Sequence, residues 1–304
     1  MGFRHRLVVF VCLLGLGQVA SAQNADDYRG GWTTGDAVNG APRTYQFSIR
    51  GDVVRGIYCT YCSDAATLAF VDGKLAADGL TFTVTHVKAD GSAAFTDRAT
   101  AKSQDGQLVV TGTLGGPGAV KFVWTMHKDK RGPDPLPVPV SVLPAGPPVP
   151  AIQFAGGGGG GGRRGAPPPY LQPAPWKQLT QNDLVGVWIG FGSGINKQFF
   201  IVRRVGNKLR GMVCGRCDNP YTMAALDDFE IKGDVLTFNI LHEDWGPGSL
   251  PFHNQVTAHV ASNEMRITTQ QDNQPPREGG PGGGSSLMGP VSIESTAGNR
   301  DGLK

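Results

Sequence analysis

The chain has 304 residues and a formal net charge of +3, and its 28 Lys and Arg residues form no dense basic block. Phosphate binding needs a concentrated basic face, so nucleic acid is excluded as the main partner. With 45 Gly and 22 Pro, much of the chain is turn and linker, and the apolar residues gather in two blocks.

Residues 1–22 read as a secretory signal peptide. Arg4 and Arg6 precede an apolar run from Leu7 to Gly17, and Ala20-Ser21-Ala22 supplies small residues for cleavage after Ala22. The run is shorter than the roughly 20 residues a spanning helix needs. No later segment is apolar for long enough, so no membrane span is expected. The expected location is the periplasm or exterior of a bacterium. Cys12 leaves with the signal.

Residues 23–131 form a first unit. TYQFSIR (44–50), VRGIYC (54–59), LTFTVTH (80–86), QLVVTG (107–112) and KFVWTMH (121–127) alternate or are rich in β-branched and aromatic residues. Turn signals separate them: Arg50-Gly51-Asp52, Asp72-Gly73, Asp90-Gly91 and Asp105-Gly106. Residues 132–177 are a Pro- and Gly-rich linker that cannot bury a core and is expected to be disordered. Residues 178–295 repeat the first unit, with a Gly-rich loop near 279–286, and 296–304 form a loose tail. In the repeat, RGIYCTYC (55–62) returns as RGMVCGRC (210–217), and LTFTVTH returns as LTFNILH (236–242). The expectation is an all-β chain of two tandem antiparallel up-and-down β-barrels, about eight strands each, joined by a flexible tether.

Gly30-Gly31-Trp32 and Gly186-Val187-Trp188 place a Gly-x-Trp on the first strand of each copy. With the meander and its Gly-Asp turns, this resembles the lipocalin-like (calycin-type) barrel domains of exported bacterial proteins. The resemblance implies a barrel with an open end that can hold a ligand, and it carries over no catalytic residue. Trp32 and Trp188 are expected to plug the closed ends. The Cys-x-x-Cys turns are not part of the lipocalin pattern.

Those turns carry the chemistry. The strand direction brings His86 to the same barrel end as Cys59 and Cys62, and His242 to the end that holds Cys214 and Cys217. Alternation points Phe82, Val84 and His86 inward, and likewise Phe238, Ile240 and His242. Three readings follow. Each cysteine pair forms a local disulfide, as an oxidising compartment favours. Alternatively, two thiolates and an imidazole in each copy hold a metal such as zinc. His253, Glu243 or Asp244 would then complete the second site, and Asp90 or Asp97 the first. In the third reading, Cys59 and Cys214 exchange thiol and disulfide, although a hairpin lacks the helix dipole that activates such cysteines. Glu243, Asp244 and Trp245 are candidates to line a ligand mouth. The function expected is non-enzymatic binding of a small molecule or metal at the barrel mouths, with the tether making the chain bivalent. The alternatives are a periplasmic thiol–disulfide protein and a structural or interaction module stapled by disulfides.

Overall fold

A computed structural model of the chain describes residues 24–35, 42–62, 64–128, 176–191, 197–215, 217, 219–243, 251–271 and 285–293. The expected signal peptide, nearly all of the expected linker, the expected tail, Asp244 and Trp245 lie outside these residues. So do residues 279–284 of the Gly-rich loop.

The described residues form two closed eight-stranded antiparallel barrels, each an unbroken meander. The first comprises β1 (Gly30–Thr33), β2 (Thr44–Arg50), β3 (Val53–Cys59), β4 (Ala69–Ala76), β5 (Gly79–Val87), β6 (Ala93–Gln104), β7 (Gln107–Thr113) and β8 (Lys121–His127). The second comprises β9 (Gly186–Phe191), β10 (Lys197–Val205), β11 (Lys208–Cys214), β12 (Met223–Lys232), β13 (Val235–His242), β14 (Phe252–Ala261), β15 (Glu264–Gln271) and β16 (Ser285–Val291). The register repeats between the copies. Thr44 faces Cys59 as Phe199 faces Cys214, and His86 faces Phe95 as His242 faces Phe252. Cys59 and Cys214 are 155 positions apart, whereas His86 and His242 are 156 apart. A β-bulge between Asp227 and Glu230, with Asp228 at φ 55°, accommodates the extra residue.

Alternation decides what fills each barrel. Tyr45, Phe47, Ile49, Val54, Tyr58, Val71, Leu80, Phe82 and Val84 point into the first, and Phe200, Val202, Leu209, Leu226, Leu236, Phe238 and Ile240 into the second. One end of each barrel is plugged. A short 3-10 turn leads into the first strand, and the indole Nε1–H of Trp32 donates to the Tyr28 carbonyl. Trp188 does the same to the Leu184 carbonyl. These are the closed ends expected for the two tryptophans. The cysteine ends lie opposite.

Gly56 and Gly211, the shared glycines of the two RG-x-x-C-x-x-C segments, sit where neighbouring strands come closest. A Cβ on Gly56 would stand 2.1 Å from the Gln46 carbonyl oxygen, and one on Gly211 would stand 2.2 Å from that of Ile201. No rotamer relieves a clash with backbone, so the position requires glycine.

The barrels are not independent beads on a tether. The outward faces of β2, β3 and β4 pack on those of β10, β11 and β12. Ile57, Cys59, Cys62, Leu68 and Phe70 share one apolar cluster with Ile189, Phe199, Ile201, Met212, Cys214 and Cys217. Strands buried on both faces read as continuous apolar runs, and Phe199-Phe200-Ile201-Val202 is such a run. A covered outer face on each copy holds the two barrels together, so they do not act as two independently placed binding units. The packing follows a pseudo-two-fold axis, as in an isologous dimer. The mates Arg55 and Arg210, and the mates Asp72 and Asp227, alternate around this axis. Arg55 bonds Asp72 and approaches Asp227 at 3.8 Å. Arg210 bonds Asp72 at 2.9 Å and approaches Asp227 at 3.6 Å. The axis sets the barrels antiparallel. Gly206, at the closed end of the second, donates its N–H to the Gly91 carbonyl at the cysteine end of the first.

Candidate functional site

Both cysteine pairs are disulfides, Cys59–Cys62 and Cys214–Cys217, each with Cα atoms 5.1 Å apart, within the normal span. All four cysteines are buried in the inter-barrel cluster. Each staple holds the loop that grips the other barrel. After Cys62, the carbonyls of Ala65 and Ala66 accept from Arg203 Nη1 at 3.2 and 3.0 Å, and Nη2 of the same arginine reaches the Val87 and Lys88 carbonyls. After Cys217, Pro220 packs on Gly31, where a Cβ would stand 2.6 Å from the proline side chain.

This placement separates the groups proposed for zinc. His86 lies at the cysteine end, as expected, but inside the barrel wall, facing Tyr58, whereas Cys59 faces outward. His242 is likewise inside, stacked on Phe252 at 4.4 Å, while Cys214 and Cys217 are outside. Disulfide formation also takes up the thiolates that a zinc site would use. Among the described residues, no group of three His, Cys, Asp or Glu is placed to hold a metal ion. Asp90 is exposed and accepts from the Ser92 amide and hydroxyl. For thiol exchange, a partner would have to reach sulfurs that are shut inside the interface.

Glu243 and His253 lie between the barrels, outside the mouth of the second. Glu243 is buried and accepts from Ser48 Oγ of the first barrel and from His253 Nε2 at 3.0 Å. Arg50 donates to His253 Nδ1, which places the histidine proton on Nε2. These contacts are the pseudo-symmetric counterpart of Arg203 on the first barrel, since Ser48 and Arg203 are mates.

His242 is a buried, neutral histidine. Desolvation by burial, above all, lowers its pKa from the ordinary 6.5 to about 4. A folded pKa below the unfolded one means that the unfolded chain takes up the proton first. Stability is therefore full above about pH 6.5 and falls as pH drops towards 4, by about 3 kcal/mol in all. Melting curves between pH 7 and 4.5 should show this loss, and His242→Leu should remove it. An equal loss in the variant would assign the pH dependence elsewhere.

A second polar cluster lies at the mouth of the first barrel. Arg43, at the entry to β2, stacks its guanidinium over Trp124 at 4.4 Å and donates from Nη1 to Tyr58 Oη at 2.9 Å. Tyr45 is fully buried among Phe47, Tyr58, Phe82 and Trp124. Burial above all raises the pKa of both tyrosines, so they stay protonated. The buried Asp97 carboxylate is held at both oxygens: Oδ2 meets His86 Nε2 at 2.9 Å and Oδ1 accepts the Gly115 N–H at 2.7 Å. His86 in turn stacks on the half-exposed Phe95 at 4.1 Å. The second barrel has Gln198, Phe200, Val213 and Asn254 where the first has Arg43, Tyr45, Tyr58 and Asp97. Of the polar mouth residues, only the histidine recurs.

Sequence reasoning missed Arg43, Tyr45, Tyr58 and Trp124. The signal was available in the alternation of TYQFSIR, which sends Tyr45 inward, and in the residues by which the two copies differ at that end.

No family model, no curated protein and no solved structure matches this chain. Its class is therefore defined by its own architecture: a tandem pair of eight-stranded antiparallel β-barrels packed by pseudo-two-fold symmetry, with a disulfide staple at each copy's contact loop. No helix among the described residues is long and apolar enough to cross a membrane.

Proposed function

We propose that the chain is an exported, non-enzymatic binding protein built from lipocalin-like barrels, with its small-molecule site at the mouth of the first. One observation carries this reading: the first mouth keeps Arg43, Tyr45 and Tyr58 among aromatic rings, where the duplicate keeps neutral or apolar residues. The second barrel closes with Gln198, Phe200 and Val213 at these positions, so the cation and phenols are not a requirement of the barrel fold. The two disulfides fit an oxidising compartment and an exported chain. The second barrel acts as a rigid buttress through the shared apolar cluster.

A second reading, a structural or interaction module, draws on the burial of both disulfides in the inter-barrel contact. Native and denatured masses of the chain recovered from a secreting host separate the two readings. The denatured mass is expected four hydrogens below the reduced value, for two disulfides. The binding reading expects a native adduct that Arg43→Gln removes. Coincident native and denatured masses, with no melting shift across a small-molecule library, would reject it in favour of the structural module.

A further inference from the structure

The hydrogen-bond inventory of the first-barrel mouth is one-sided. Arg43 Nε is buried and has no hydrogen-bond partner, and a guanidinium nitrogen can only donate. The Tyr45 hydroxyl is buried inside the barrel and also unpartnered. It lies close enough to Arg43 and Asp97 for their charges to act on it. Tyr58 Oη accepts from Arg43, which leaves its own proton to give. The one carboxylate at hand, Asp97, is committed to His86 and to the Gly115 amide. Two buried groups, Arg43 Nε–H and the Tyr45 hydroxyl, thus converge here without a hydrogen-bond partner. Buried polar groups are satisfied in the great majority of native structures, and an orphaned one is costly. In the second barrel, Phe200 and Val213 replace the two tyrosines and no such set exists.

We infer that the mouth of the first barrel binds a monoanionic carboxylate carried on an apolar or aromatic body. This rests on the binding reading above and names its ligand class. A carboxylate offers about four lone-pair sites and no donor, the complement of Arg43 Nε–H, Tyr45 O–H and Tyr58 O–H. A single guanidinium without a carboxylate partner among the described residues matches one negative charge. The surrounding rings of Trp124, Phe122 and Phe95 match an apolar body rather than a sugar or a polyanion. Phenolic groups held protonated by burial keep donating throughout the neutral pH range.

The test is calorimetric titration of the full-length mature chain with a carboxylate series, acetate, hexanoate, benzoate and indole-3-acetate, and with the neutral amide of each acid. The expected result is binding by the larger acids and at least about tenfold weaker binding of the matching amides, because an amide brings no charge to the guanidinium and its NH2 cannot accept from Arg43 Nε–H. Tyr45→Phe should weaken acid binding by about tenfold, and Arg43→Gln by more, with unchanged circular dichroism. The comparison of acid with amide uses the unaltered protein, so it stands even if a variant misfolds. Amides that bind as tightly as acids, with no effect of Arg43→Gln, would overturn the anion inference and leave a neutral-ligand site. Failure of both series would reject the inference and the binding reading together.

Discussion

Arg210→Ala is expected to destabilise the protein by about 3–5 kcal/mol, the usual cost of leaving a buried ion pair half-made. For a chain of this size, that lowers the melting temperature by roughly 6–15 °C. The side chain is 6% exposed. It serves Asp72, Asp227 and the carbonyls of Gly56 and Val71, and it lies over the Phe70 ring at 5.1 Å. Its deletion leaves Asp227, which is itself only 13% exposed, with the more exposed Arg55 as its remaining cation at 3.8 Å. The mate Arg55 holds the same two carboxylates, but it is 46% exposed and well screened. Arg55→Ala should cost no more than about 1 kcal/mol. Thermal melts of the two variants, alongside the Arg210→Ala, Asp227→Ala double variant, check this directly. Equal effects at the two arginines would mean that the pseudo-symmetric quartet does not hold the barrels together as described. A double variant more stable than Arg210→Ala alone would confirm that the Asp227 carboxylate carries part of the cost.

The barrel itself was legible because a period-2 pattern is robust: each inward series, such as Phe82, Val84 and His86, follows from alternation alone. The duplication was legible for the same reason, since matched strands keep matched registers. Two features were not. Alternation assigns one face of a strand to the core but says nothing of what covers the other. The outward residues Ile57, Phe70, Phe199, Ile201 and Met212 were therefore apolar side chains without an assigned partner until the second barrel was seen to cover them. The same blindness affected the cysteines. Cys59 and His86 share a barrel end, and the sequence says so. That Cys59 faces out while His86 faces in also follows from parity, yet a loop after the strand loosens parity and leaves a metal site conceivable on paper. The mouth residues were hidden differently. Tyr45 and Tyr58 read as ordinary strand aromatics, and only their position beside the guanidinium of Arg43 gives them a chemical meaning.

Converting both cysteine pairs to serine is expected to cost about 4 kcal/mol in total. Each ring closes over a separation of three residues, and chain entropy alone assigns so short a loop about 2 kcal/mol. The loss should not stay local. The staple after β3 holds the Ala65 and Ala66 carbonyls in place for Arg203, and the staple after β11 holds Pro220 against Gly31. Loosening either loop therefore loosens the grip of one barrel on the other. A serine hydroxyl placed at Cys59 or Cys214 would also sit in the apolar cluster between the barrels and lack a partner there. Alanine at the same four positions should be the milder change, and the difference between the two variants isolates that polar penalty. Because burial shields the sulfurs, dithiothreitol should reduce the native protein no faster than the protein opens, and thiol labelling should track unfolding. Rapid reduction of the folded chain, or catalysis of insulin reduction that disappears in the serine variant, would return the paired turns to a redox role. A serine variant as stable as the parent would show that the staples do not hold the contact loops.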